Sequence, residues 1–235
     1  MSSEPLLRLE TVGKRFGGLT VLDQLSFSVH AGEIVGLVGP NGSGKTTTIN
    51  VISGVHQADA GRVIFEGREI RHLPTFRIAR HGINRSFQVP KCFRDMSVRE
   101  NVEVAATFAT RGAADVEAIL SQIGLSAQAD LLAGSLTVNQ QKMLDLGRAL
   151  ATNPKLLLID EIGAGLNPAE LGGIASLLQS LAASGITLIV VEHLLDFLNR
   201  ITDRVIVLGA GRMLFEGTLQ AASQNPEVVA AFIGG

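Results

Sequence analysis

Apolar and polar positions alternate through the first part of the chain: Leu7 and Leu9, then Leu25, Phe27 and Val29, are separated by polar neighbours. That period-two pattern predicts half-buried antiparallel strands, with Gly17-Gly18 and Ala31-Gly32-Glu33 as turns. The alternation stops at Ile34-Val35-Gly36-Leu37-Val38, a continuous apolar run typical of a central parallel strand covered on both faces. A short hairpin is expected over Arg62 to Ile70. From Val89 to about Ser135 the chain becomes alanine-rich with few β-branched residues, which predicts a helical insertion; with the helix that follows, it forms a helical subdomain over approximately 89–153. Then come a strand at Leu156 to Ile159, a helix, a strand at Ile186 to Val191, a helix, and a strand pair, Val205 to Leu208 and Met213 to Phe215, around Gly209-Ala210-Gly211. Strands alternating with helices indicate an α/β fold with a mostly parallel central sheet between helical layers, here joined to an N-terminal antiparallel β subdomain.

Composition narrows the picture. A chain of 235 residues with 46% hydrophobic content can bury a full core, and could be one large α/β domain or two small ones. A net charge of −2 gives no general attraction to phosphate backbones, so no nucleic-acid partner is expected. The single cysteine, Cys92, forms neither an internal disulfide nor a cysteine-rich metal site and fits a reducing compartment. Met1 to Glu10 lacks the charge-then-apolar pattern of a signal peptide. The longest charge-free run, Leu171 to Val191, has the length of a membrane span. It reads instead as two soluble elements, because Gln179, Ser180 and Ser184 interrupt it, Gly185 ends a helix and the rest is β-branched.

The chemistry is concentrated in Gly39-Pro40-Asn41-Gly42-Ser43-Gly44-Lys45-Thr46-Thr47, which fits G-x-x-x-x-G-K-[ST] between an apolar strand and a predicted helix. Glycines let the backbone wrap a phosphate closely, Lys45 supplies a point charge and Thr46 offers its hydroxyl to Mg²⁺. The chain is therefore expected to be a P-loop NTPase with a three-layer core. The apolar run Leu156 to Asp160 ends in the acid such a site needs, with Asp160 oriented toward Mg²⁺ or its water and Glu161 next to it as acceptor of a proton from attacking water.

These residues resemble the ATP-binding-cassette (ABC) ATPase family over nearly the whole chain, which implies a single ATPase domain over residues 1–235. By that resemblance Phe16 is the aromatic residue that stacks on adenine, Gln88 in Arg85-Ser86-Phe87-Gln88 is the Q-loop glutamine and a Mg²⁺ ligand, Asp160-Glu161 ends the acidic strand, and His193 is the switch histidine that contacts the γ-phosphate. Leu136-Thr137-Val138-Asn139-Gln140 stands where the family carries Leu-Ser-Gly-Gly-Gln, which binds the γ-phosphate of ATP held by a second subunit. Thr137, Val138, Asn139 and Gln140 also read as a capping box, S/T-x-x-E/Q, and the two roles are compatible. Val138 and Asn139 put side chains where the family has bare backbone, which weakens the half-site. Ile162 stands in place of the proline that commonly follows the glutamate.

Arg15-Phe16-Gly17-Gly18-Leu19, Arg85-Ser86-Phe87-Gln88 and Gly165-Leu166-Asn167-Pro168 are similar to the branch of ATP-binding subunits that serve branched-chain or hydrophobic amino-acid importers. The resemblance implies ATP hydrolysis with Mg²⁺, a second ATPase subunit as homodimer or heterodimer partner, transmembrane permease subunits, and a place at the cytoplasmic face of the inner or plasma membrane. The altered signature motivates an alternative: a nucleotide-gated regulatory subunit with little turnover of its own. A kinase would want an arginine-rich lid, and Arg94, Arg99 and Arg111 do not cluster like one.

Overall fold

The computed structural model describes residues 4–109, 112–202 and 204–233; Arg111 and the first residues of the Met1 to Glu10 stretch lie outside that range. The chain opens with β1 (Leu7–Phe16), β2 (Leu19–Val29) and β3 (Ile34–Val38), followed by α1 (Lys45–Ile52), β4 (Ala60–Phe65) and β5 (Arg68–Glu69). Helix α2 (Thr75–Arg80) leads to β6 (Ile83–Arg85), after which come α3 (Val98–Ala106), α4 (Val116–Gln122) and α5 (Val138–Ala151). The remainder alternates: β7 (Leu156–Asp160), α6 (Pro168–Ala183), β8 (Thr187–Val191), α7 (Leu195–Ile201), β9 (Arg204–Gly209), β10 (Arg212–Gly217), α8 (Leu219–Gln224) and α9 (Pro226–Ile233).

The strands form two sheets. One is antiparallel with order β2-β1-β4-β5, and the other has order β10-β9-β3-β8-β7-β6, parallel throughout except for β10. Short β6 and α2 are elements that the hydrophobic pattern did not announce. The expected strands are present with modest extensions, and the run Leu171 to Val191 divides into α6 and β8 around Gly185, whose φ is +96°.

Each face of the parallel sheet buries its own core. Leu156, Leu158, Ile189, Val191, Ile206 and Leu208 pack with α1 and the antiparallel sheet, while Leu157, Ile159, Leu188, Val190, Val205 and Val207 pack toward the helical side. On the first of these faces the antiparallel sheet and α1 share the cover. All five residues of β7 and of β8 are buried, and each fully buried leucine contributes about 2 kcal/mol of transfer free energy. Helices α3, α4 and α5 place Val98, Val102, Leu120 and Leu144 in the core on the helical side.

Candidate active site

The C-terminal ends of three neighbouring strands, β3, β8 and β7, deliver the chemistry to one edge of the sheet. Beyond β3, Gly39 to Gly44 wrap the start of α1, and the loop can only be glycine-rich. A Cβ on Gly39 (φ +151°) would lie 2.3 Å from the carbonyl oxygen of Leu208, whereas one on Gly42 would meet only open space, and there it is the left-handed φ of +78° that favours glycine. Asn41, Gly42, Gly44, Lys45, Thr46 and Thr47 line one depression together with Val21, Glu161 and His193. The Lys45 ammonium is buried and donates to the carbonyls of Gly39 (2.7 Å) and Pro40 (3.0 Å). Burial holds its pKa below the usual lysine range, against the pull of the Glu161 and Asp160 carboxylates. The Ser43 hydroxyl is buried with no partner within the protein.

Across the depression, Glu161 sits between two polar partners. Gln88 Nε2 donates to Glu161 Oε2 at 2.5 Å, and His193 Nε2 lies 2.7 Å from Glu161 Oε1. Glu161 itself adopts φ +51°, a left-handed conformation unusual for a non-glycine residue and typical of strained functional turns. Its N–H donates to the carbonyl of Val191 at 2.9 Å, so β8 fixes the turn that aims the carboxylate. Asp160 is 4% exposed, and burial raises its pKa, opposed by Arg85, whose Nη2 is 3.4 Å away. Arg85 is held in turn by Asn50 Oδ1 at 2.6 Å and lies over the Phe87 ring at 4.7 Å.

Two acids that sequence reading missed organise the loops. Glu192 accepts from the N–H of Gly163 at 2.6 Å and of His193 at 3.3 Å, tying the backbone at His193 to the turn after Glu161. Burial raises its pKa, those backbone donors pull it down, and the Glu161 charge adds to the rise. Asp145 on α5 accepts from Phe87 N (2.7 Å) and Lys91 N (3.3 Å), on either side of Gln88. Ile162, in place of the common proline, is buried in the core on the helical side.

Phe16 ends β1 with 43% of its surface exposed, edge-on to His56 with ring centroids 5.0 Å apart. The Thr137 segment starts α5 as a complete capping box: Thr137 Oγ1 accepts from Gln140 N at 3.3 Å and Gln140 Oε1 accepts from Thr137 N at 3.0 Å. Val138 is exposed, and Asn139 Nδ2 reaches Glu170 Oε1 at 3.5 Å. Asn139 and Gln140 line a separate groove beside α6, away from the depression over Lys45. The structure thus gathers Lys45, Thr46, Glu161, His193 and Gln88 into one site and leaves Thr137 to Gln140 on another surface.

A phosphate loop on a parallel sheet, with an acidic strand end facing it, defines a nucleoside-triphosphate-binding ATPase of the P-loop class. The chain belongs to the ABC transporter family, whose model matches residues 22–164. It is similar to the high-affinity branched-chain amino acid transport ATP-binding protein BraF of Pseudomonas aeruginosa, at 33% identity over 99% of each chain. A probable branched-chain amino acid transport ATP-binding protein, LivG, of Methanocaldococcus jannaschii is 36% identical over 97% of each. Among solved structures, a nucleotide-free ATP-binding cassette from an ABC transporter superposes with a TM-score of 0.88 at 34% identity, over 99% of this chain and 100% of that one. An ADP-bound cassette gives 0.88 at 35% identity with the same coverage.

Proposed function

We propose that the chain is the ATP-hydrolysing subunit of an importer for branched-chain or similar hydrophobic amino acids. The observation that carries the catalytic part is Glu161, held between Gln88 and His193 and facing Lys45 and Thr46 across one depression. The substrate class is supported by the names of relatives aligned along nearly the whole chain.

In this reading, ATP lies with its adenine against Phe16 and its phosphates on the backbone of Gly39 to Thr47, where Lys45 neutralises charge as the γ-phosphoryl group loosens. Glu161 takes a proton from water as its oxygen attacks phosphorus, the bond to the β-phosphate oxygen breaks, and ADP leaves with phosphate. His193 steadies the γ-phosphate, and Gln88 orients the carboxylate and the water. The Thr46 hydroxyl, the Asp160 carboxylate and the Gln88 amide oxygen are the hard oxygen donors that would hold Mg²⁺, which would offset the charge of the phosphates.

A solved cassette 27% identical to this chain is described as a dimer in a post-hydrolysis state with ADP and phosphate, at a TM-score of 0.82 over 91% of this chain and 98% of that one. By analogy, Thr137, Val138, Asn139 and Gln140 face the nucleotide of a second ATPase subunit, identical or different. Exposed Val89 and Phe93, beside Gln88, offer a surface to transmembrane permease subunits. Among the described residues no helix is long and apolar enough to cross a membrane, which fits a subunit held at the cytoplasmic face through those permeases. The helical subdomain of approximately 89–153 is the part that moves with them.

Steady-state Mg-ATP hydrolysis by the purified chain beside Glu161→Gln tests the site. The variant should keep nucleotide binding and lose at least about a hundredfold in turnover, the usual worth of a general base. Equal turnover in both proteins removes Glu161 from that role.

A further inference from the structure

Helix α5 carries three charged side chains at successive three-residue steps, Lys142, Asp145 and Arg148, and each grips backbone belonging to a loop of the site. Lys142 Nζ donates to the carbonyls of Ala164 (2.7 Å) and Glu161 (3.4 Å), on the turn that aims the carboxylate. Arg148 donates to the carbonyl of Lys91 and lies 4.5 Å from the centre of the Phe93 ring. Between them, Asp145 accepts from Phe87 N and Lys91 N and is 3.8 Å from Arg148.

Asp145 is the least explicable of the three on packing grounds. It is 4% exposed, flanked by the fully buried Leu144 and Leu146. Burial drives its pKa up, and the amides of Phe87 and Lys91 pull it back. An alanine or leucine there would be buried without the desolvation cost of a carboxylate, so helix stability alone does not account for an acid. What a carboxylate does, and a smaller apolar group cannot, is present two oxygens to two separate N–H groups. Those groups stand one residue before and three after Gln88, so the carboxylate fixes both ends of the short segment that carries it.

We propose that Asp145 is the positioning residue for Gln88: by clamping the backbone at Phe87 and Lys91 it holds the Gln88 amide in reach of Glu161. The inference rests on the catalytic reading of Gln88 and Glu161 given above. The clamp also joins the Gln88 segment to α5, the helix capped by Thr137.

The test is a double-substitution cycle in Mg-ATP hydrolysis by the full chain: unaltered, Asp145→Asn, Gln88→Ala and the pair together, with kcat and KM determined separately. An asparagine retains one acceptor oxygen and sets an NH₂ against the second donor. Asp145→Asn should lower kcat about tenfold, the size expected for a supporting partner, with KM for ATP within about twofold. In the Gln88→Ala background it should add nothing, and Asp145→Glu should recover part of the loss. A loss that multiplies in the Gln88→Ala background, or an unchanged kcat with a lowered melting temperature, overturns the proposal. A Gln88→Ala protein as fast as the unaltered chain removes Gln88 from the site and the positioning role with it, a result distinct from the first. Should Asp145→Asn fail to fold, Asp145→Ser, which also keeps only one acceptor oxygen, takes its place in the cycle. Amide hydrogen exchange supplies a readout independent of turnover: exchange should accelerate at Phe87 and Lys91 and stay constant along α5, and unchanged exchange at those two amides also overturns the proposal.

Discussion

Cys92 shows how strongly one position can be set by its surroundings. Half-buried under α5, its thiol donates to the carbonyl of Gln141 at 3.4 Å. Burial pushes its pKa from 9.0 up to about 11, the Asp145 charge adding to the rise and Arg148 opposing it. Because the thiolate is the reactive form, a rise of that size leaves on the order of a hundredfold less of it at neutral pH. Maleimide labelling of the folded chain should therefore be about a hundredfold slower than after unfolding in denaturant, and a rate near that of the unfolded chain contradicts the burial of this thiol. Residues of the site differ in how far the sequence exposes them. Lys45, Thr46, Asp160 and Glu161 sit in contiguous patterns whose spacing carries their chemistry. Asp145 and Glu192 do not: each grips backbone far away in sequence, Phe87 and Gly163, through contacts that exist only once the loops are folded. The one available signal was an aspartate inside the apolar stretch of α5, and it indicates a buried partner without naming it.

At the scale of elements, α5 is capped at its start by Thr137 and Gln140 and is followed by Thr152 as its C-cap. Removing the cap with Thr137→Ala should cost about 1 kcal/mol in urea unfolding, since one backbone donor loses its acceptor. A variant as stable as the parent would mean that Gln140 alone satisfies the first turn. Strands β3, β7, β8 and β9 were legible because buried parallel strands are written as continuous apolar runs. Strand β6 and helix α2 were not, since three and six residues are too few to display a period. Asn167 and Pro168 mark the start of α6 as clearly as any cap, with Asn167 Oδ1 accepting from Ala169 N and Glu170 N at 3.0 Å each.

For the whole molecule, the expected parallel sheet is present, but the cover on one face is shared between α1 and an antiparallel sheet; alternation announced those strands without saying which layer they would join. The assembly has its own prediction. If two copies pair head to tail, each ATP meets Val138 and Asn139 where a closer backbone approach serves better, so Asn139→Gly should raise the turnover of the chain alone. With a partner subunit that has glycines at the equivalent positions, the same substitution should change turnover at the phosphate loop of this chain little. A rate that falls or stays level in the isolated Asn139→Gly chain counts against a γ-phosphate contact by this segment.

The parallel sheet is also a partition. Leu157 and Leu158 are bonded neighbours, yet their side chains enter different compartments and share no packing partners, whereas Leu158 and Ile189 pair across β7 and β8 and belong to the same one. Since coupling between substitutions follows shared contacts, the two sides of the sheet are free to drift independently over evolutionary time. Historical change in this chain should therefore leave a checkerboard: bonded neighbours in the strands varying separately, and residues some thirty positions apart in sequence changing together.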